Sequence, residues 1–151
     1  MFPIHTFSGS PYTIGYQHGV ELTDSIHALW KLYHPLFGDE TRALWERVAQ
    51  YSTYIQQHVP ALYREMEGIA AGSGLPLPYI IALNARSELI QSDIVNKDEK
   101  MNECTTIYAA QTHTLAQTWD FQNTIGDHVF IGIMHQDNGL TITQLMEPGI
   151  V

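Results

Sequence analysis

Cys104 is the only cysteine in this chain of 151 residues, set in the run Met101-Asn102-Glu103-Cys104-Thr105-Thr106-Ile107-Tyr108. A lone thiol has no internal disulfide partner and no second cysteine for a metal site. Two roles remain, a small buried hydrophobe or a nucleophile, and burial is the commoner fate of an isolated cysteine. The nucleophile gains weight from position, because Cys104 stands where a charged linker gives way to strands. A cut just before it would expose a free α-amine beside the thiol. Such an amine has a pKa of about 7.7–8.0, so near neutrality it is partly a free base. A thiol nucleophile needs a neighbour of that kind to take its proton. The same thiol could make the cut, attacking the Glu103 carbonyl and passing through a thioester that water opens. Thr105 and Thr106 could donate hydroxyl hydrogen bonds there, and they are equally good strand formers.

The histidines offer less. Eight are present, and none forms an HExxH or Cys-His zinc pattern. His113, His128 and His135 lie in the same half as Cys104, but no sequence feature sets one beside it. A histidine-assisted cysteine hydrolase therefore ranks third and a metal site last; no metal or other cofactor is expected.

Composition narrows the function classes. Hydrophobic residues make up 44% of the chain and aromatics 11%, as in a globular protein with a real core. The net charge of −9 repels phosphate backbones and anionic bilayers, which argues against nucleic acid and membrane partners. No apolar stretch approaches the roughly 20 residues of a membrane helix. Met1-Phe2-Pro3-Ile4-His5 lacks the basic and apolar regions of a secretory signal. One cysteine and no export signal together point to the reducing cytoplasm.

Two periodicities divide the elements that must position Cys104. Leu22, Ile26, Leu29, Tyr33 and Leu36 recur at helical spacing, with Gly38 as a stop. Leu44, Val48, Tyr51 and Ile55 form a second stripe. Pro60 opens a third helix with Leu62, Met66 and Ile69 inward and Gly72-Ser73-Gly74 at its end. Pro78 opens a fourth through Ile81, Ala85 and Leu89. Gly15 and Gly19 share one helix face, where their cost in helix stability suggests a close packing contact. Residues 91–103 read as a polar linker. After it the period falls to two: strands are expected over 104–110, 114–121, 128–134 and 140–146, the last two joined by the tight turn Asp137-Asn138-Gly139. The run 128–134, apolar on both faces, reads as a central strand. Helices followed by an antiparallel β meander give an α+β class. The meander would leave one sheet face uncovered, and the chain ends on apolar Ile150-Val151. Both features suggest truncation in mid-structure, unless the last residues form a short strand docked on a sheet edge.

Several runs, in order, resemble one family. Ser10-Pro11-Tyr12-Thr13-Ile14-Gly15-Tyr16-Gln17-His18-Gly19 is similar to an opening Gly-Tyr-x-His-Gly helix. Glu67-Gly68-Ile69-Ala70-Ala71-Gly72 and Leu83-Asn84-Ala85-Arg86-Ser87-Glu88 are similar to two central helical motifs. Cys104-Thr105-Thr106 resembles a nucleophile strand, Gln117-Thr118-Trp119-Asp120-Phe121 a following Trp-Asp strand, and Glu147-Pro148-Gly149-Ile150 a strand end in the core. The family is that of the acyl-coenzyme A:6-aminopenicillanic acid acyltransferases (isopenicillin N acyltransferases), among the N-terminal-nucleophile hydrolases.

The resemblance implies the amino-terminal part of an αββα sandwich, with residues 1–103 as a helical α-chain region and 104–151 as the start of a catalytic β-chain, together one incomplete domain. It implies a precursor that cleaves itself between Glu103 and Cys104, leaving an α/β heterodimer. It also implies hydrolysis of a small-molecule amide, or acyl transfer from an amide or thioester to an amine. Cys104 would be the nucleophile and its own amine the base. Asp120 would orient or charge-balance the site, although a strand-end aspartate binding backbone is an equal reading. Trp119 and Arg86 would line the site with Thr105 and Thr106; an Arg86–Glu88 pair bracing a helix would explain those positions as well. Two departures stand out. Glu103 replaces the glycine that precedes the family's nucleophile, which bears on the rate of self-cleavage, and Thr118 replaces an asparagine, so substrate choice does not transfer. Oxyanion donors, often the largest catalytic contribution, would lie beyond Val151, leaving this portion weakly active or inactive alone. The competing reading is a non-catalytic binding or assembly module, an oligomer built on exposed sheet edges, with Cys104 an ordinary strand residue.

Overall fold

The computed structural model describes residues 1–38, 41–90, 104–118 and 126–151. The elements are strand β1 (Ile4–Gly9), helices α1 (Pro11–Glu21) and α2 (Thr23–Tyr33), a 3₁₀ turn (His34–Phe37), helices α3 (Arg42–His58), α4 (Pro60–Ser73), α5 (Leu77–Asn84) and α6 (Arg86–Leu89), and strands β2 (Thr106–Ala109), β3 (Thr114–Gln117), β4 (Phe130–Gln136) and β5 (Thr141–Met146). The α+β class holds.

Local chemistry sets the helix ends. Ser10 Oγ accepts from the Thr13 N–H at 3.3 Å and Pro11 occupies the first helical position of α1. Thr41 Oγ1 caps α3 through the Leu44 N–H at 3.2 Å. Pro60 opens α4, and Gly74, at φ +72°, closes it in the left-handed conformation. Ile26, Leu29 and Tyr33 are fully buried, with Ile69, Ile80 and Leu83 in the same helical core. Leu62, expected inward, is exposed instead: the buried face of α4 begins only at Glu65, one turn later.

Gly15 and Gly19 make the close contact their spacing suggests. A Cβ on Gly15 would strike the Glu65 carbonyl, and one on Gly19 the Ile69 carbonyl. The arrangement is reciprocal, because a Cβ on Gly68 would strike the Tyr12 carbonyl and one on Gly72 the Tyr16 carbonyl. The two helices therefore run in the same direction with their backbones touching.

The fourth helix is interrupted. α5 stops at Asn84, Ala85 leaves helical geometry (φ −99°, ψ 20°), and the single turn α6 follows. Asn84 sits at the break, its Nδ2 donating both to the Ile80 carbonyl and, across the molecule, to the Gly149 carbonyl, each at 2.9 Å. Asparagine's competition for backbone partners favours a helix end at such a point.

The strands do not form the simple antiparallel meander expected. β1, within the amino-terminal helical half, pairs parallel with β4 from Ile4↔Ile131 to Gly9↔Gln136. β4 pairs antiparallel with β5 from Phe130↔Met146 to His135↔Thr141, giving a mixed sheet of order β1-β4-β5. The central position of β4 matches its apolar sequence. β2 and β3 form a separate antiparallel hairpin. One face of the mixed sheet is covered: Phe7, Phe130, Met134 and Met146 pack with Ile14 of α1 in a second core. The other face carries Ile4, Thr6, Ile133 and Leu145, with Ile4 and Leu145 exposed. Among the described residues, no helix is long and apolar enough to cross a membrane.

Candidate functional site

Cys104 is exposed and precedes β2 rather than lying within it. The buried structural role is therefore not the one the fold gives it. Beside it, the Thr105 N–H donates to Thr118 Oγ1 and the Thr118 N–H donates to the Thr105 carbonyl, both at 2.9 Å. These two bonds close the base of the β2–β3 hairpin and fix the backbone that follows the thiol. Thr105 and Thr106 are exposed, as is every residue of both hairpin strands. Glu103, Trp119 and Asp120 lie outside the described residues.

The three histidines of this half are engaged elsewhere or stand apart. His113, at φ +50° in the hairpin turn, shares a hydrogen bond of 3.1 Å with the Tyr108 hydroxyl. His135 Nδ1 bonds Thr141 Oγ1 at 3.0 Å across β4 and β5. His128 is half-buried in the turn before β4. No hydrogen bond joins any of them to Cys104 among the described residues. Nor, among those residues, do three or more His, Cys, Asp or Glu side chains gather as a metal site would need.

Among the described residues, polar side chains gather instead around the turn Glu147-Pro148-Gly149-Ile150. The Ile150 N–H donates to the Glu147 carbonyl at 3.2 Å, and Gly149 takes φ +85°. Proline second and a positive-φ glycine third are the requirements of a type II turn. Four helical elements reach it. From α2, the Tyr33 hydroxyl donates to Glu147 Oε2 at 2.7 Å. From α6, Arg86 Nη2 donates to Glu147 Oε1 at 2.8 Å. From α5, Asn84 holds the Gly149 carbonyl and accepts the Val151 N–H at 3.0 Å. From α1, His18 Nε2 accepts the Gly149 N–H at 3.0 Å.

Burial makes these contacts consequential. Glu147 is 2% exposed and Tyr33 fully buried. A carboxylate so placed is tolerable only with its oxygens satisfied and its charge paired. Arg86 supplies the charge, with its guanidinium 5.5 Å from the Tyr33 ring centroid in cation–π geometry. Burial first, then the neighbouring Glu147 charge, holds the Tyr33 hydroxyl well above the usual tyrosine range. His18 is fully buried between rings, its centroid 5.4 Å from both Phe7 and Phe130. Desolvation, with a smaller contribution from His5, lowers its pKa to about 3, so the ring is neutral. Accepting at Nε2 places its one proton on Nδ1. Among the described residues that Nδ1 meets no hydrogen-bond partner.

Arg86 thus pairs with Glu147 and not with Glu88, whose backbone carbonyl accepts from Arg47. Sequence reasoning missed Tyr33 as a polar partner, because its place on an apolar stripe reads as core. It also left Glu147 without a partner; the signal present was the Pro-Gly pair, which marks a turn but not what the turn is anchored to. His18, Asn84, Arg86 and Glu147–Gly149, drawn from three separate motif runs, converge on this one node, while Gly68 and Gly72 of a fourth run seat α4 against α1.

No protein-family model matches the chain. Among curated proteins it is similar to the acyl-coenzyme A:6-aminopenicillanic-acid-acyltransferase 40 kDa form of Emericella nidulans, at 27% identity over 152 residues. The match covers 97% of this chain and 42% of that protein, on its amino-terminal part. The chain spans less than half the length of that relative. The similarity thus extends beyond the separate motifs to nearly the whole chain, and it is to an acyltransferase.

Proposed function

We propose that this relative of an acyltransferase carries the nucleophile of a self-processing, cysteine-dependent N-terminal-nucleophile enzyme. Its substrates are small molecules, an amide or an acyl thioester, and the acyl group passes to water or to an amine. The observation that carries this reading is the acyltransferase similarity over 97% of the chain, a span that includes Cys104. The exposure of Cys104 beside a tied hairpin base adds support, since a nucleophile must be reachable and its following backbone fixed.

In maturation, the Cys104 sulfur attacks the Glu103 carbonyl carbon. The Glu103–Cys104 C–N bond breaks as the C–S bond forms, and the departing nitrogen takes up a proton to become the free α-amine. Water then opens the thioester, giving the Glu103 carboxylate and restoring the thiol. In turnover the α-amine removes the thiol proton, sulfur attacks the substrate carbonyl, and the protonated amine passes its proton to the leaving group. Water or an acceptor amine then takes the acyl group from sulfur. Asp120, two residues past Thr118 of the hairpin base, would balance charge near the amine, with Trp119, Thr105 and Thr106 lining the site. The exposed sheet face would be the inner face of an αββα sandwich, and a reducing compartment such as the cytoplasm would keep the thiol free.

Intact-mass measurement on ageing protein tests the processing step. The wild-type chain should yield fragments 1–103 and 104–151, and Cys104→Ala should stay whole. An alanine variant that splits as fast as the wild-type chain overturns it, as does a precursor extended to the length of the acyltransferase relative that stays whole. The assembly-module reading is favoured by one observation, the exposure of Ile107, Tyr108 and Leu115 on the hairpin. It predicts slow, non-saturable labelling of Cys104 and a concentration-dependent oligomer.

A further inference from the structure

We draw no further inference here: the strongest candidate, the outer face of the β1-β4-β5 sheet where Ile4, Ile131 and Leu145 align in one apolar row, carries nothing because nothing in the structure shows what covers it beyond the sandwich already proposed.

Discussion

Arg86 and Glu147, 61 residues apart in sequence, meet in the interior at 2.8 Å and tie helix α6 to the turn that follows β5. The Glu147 side chain is 1% exposed and that of Arg86 17%, so the pair is largely withdrawn from water. Breaking a buried pair strands a charge, a cost on the order of 3 kcal/mol. Glu147→Gln should therefore destabilise the fold by about that amount in urea titration, and Arg86→Met should do likewise. The double variant should recover much of the loss, because no lone charge remains. Strict additivity of the two single effects would show that the pair is not coupled.

His18 gives the fold an acid limit. Its pKa falls from an ordinary 6.5 to about 3 on folding. A depressed folded value means that the stability is fully present above pH 6.5 and is lost as pH falls through that value toward 3. The loss attributable to this residue is on the order of 4 kcal/mol at the acid end. Protonation would also turn Nε2 into a donor facing the Gly149 N–H. His18→Gln keeps an acceptor without titrating, so its stability should decline less between pH 6 and 4 than that of the wild type. Parallel pH profiles for the two proteins would rule this out.

Glu65 titrates in the opposite sense. It is 7% exposed, and burial raises its pKa from 4.5 to about 7. A raised folded value means that stability is fully present below pH 4.5 and is lost as pH rises through about 7. Glu65→Gln should thus stabilise the protein at pH 8 by about 3 kcal/mol and change little at pH 4. An equal gain at both pH values would exclude titration as the cause.

What the sequence revealed follows the range of the interactions. The start of α4 at Pro60 and its end at Gly74 are short-range chemistry, written within a few residues. The Gly15/Gly19 spacing announced a close approach, though not that Gly68 and Gly72 would be its partners. Strand β1 escaped notice because its six residues gain their place only from β4, more than a hundred residues later, and parallel pairing leaves no hairpin signal between them. The node at Glu147 was illegible for the same reason: Tyr33 is 114 residues away from its acceptor. Cys104 became a candidate by its uniqueness, whereas its exposure depends on where the hairpin lies.

The reciprocal glycine contact predicts a steric failure. Gly68→Ala would drive a methyl group into the Tyr12 carbonyl of α1. Backbone cannot rotate away as a side chain can, so the helices must separate, at about 2–3 kcal/mol or more. Alanine raises intrinsic helix propensity by about 1 kcal/mol, which offsets only part of this. Ala71→Gly on the exposed side of α4 is the matched control and should cost about 1 kcal/mol through propensity alone. A melting temperature for Gly68→Ala at or above that of wild type would mean that the helices can part freely.

Cleavage before Cys104 would not free the two pieces from one another. β1 belongs to the first piece and is hydrogen-bonded along six register positions to β4 of the second. The second piece also carries Glu147 and Gly149, held by Tyr33, Arg86, Asn84 and His18 of the first. Separation would expose Phe7, Phe130 and Met134 and leave the Arg86 and Glu147 charges unpaired in the same step. Segments 1–103 and 104–151, expressed together from separate reading frames, should therefore co-purify and run as one species in native mass spectrometry. Adding Glu147→Gln should weaken the complex at least tenfold, since about 1.4 kcal/mol corresponds to one decade in affinity. Segments that migrate independently, or a complex indifferent to Glu147→Gln, would show that this node does not hold the two pieces together.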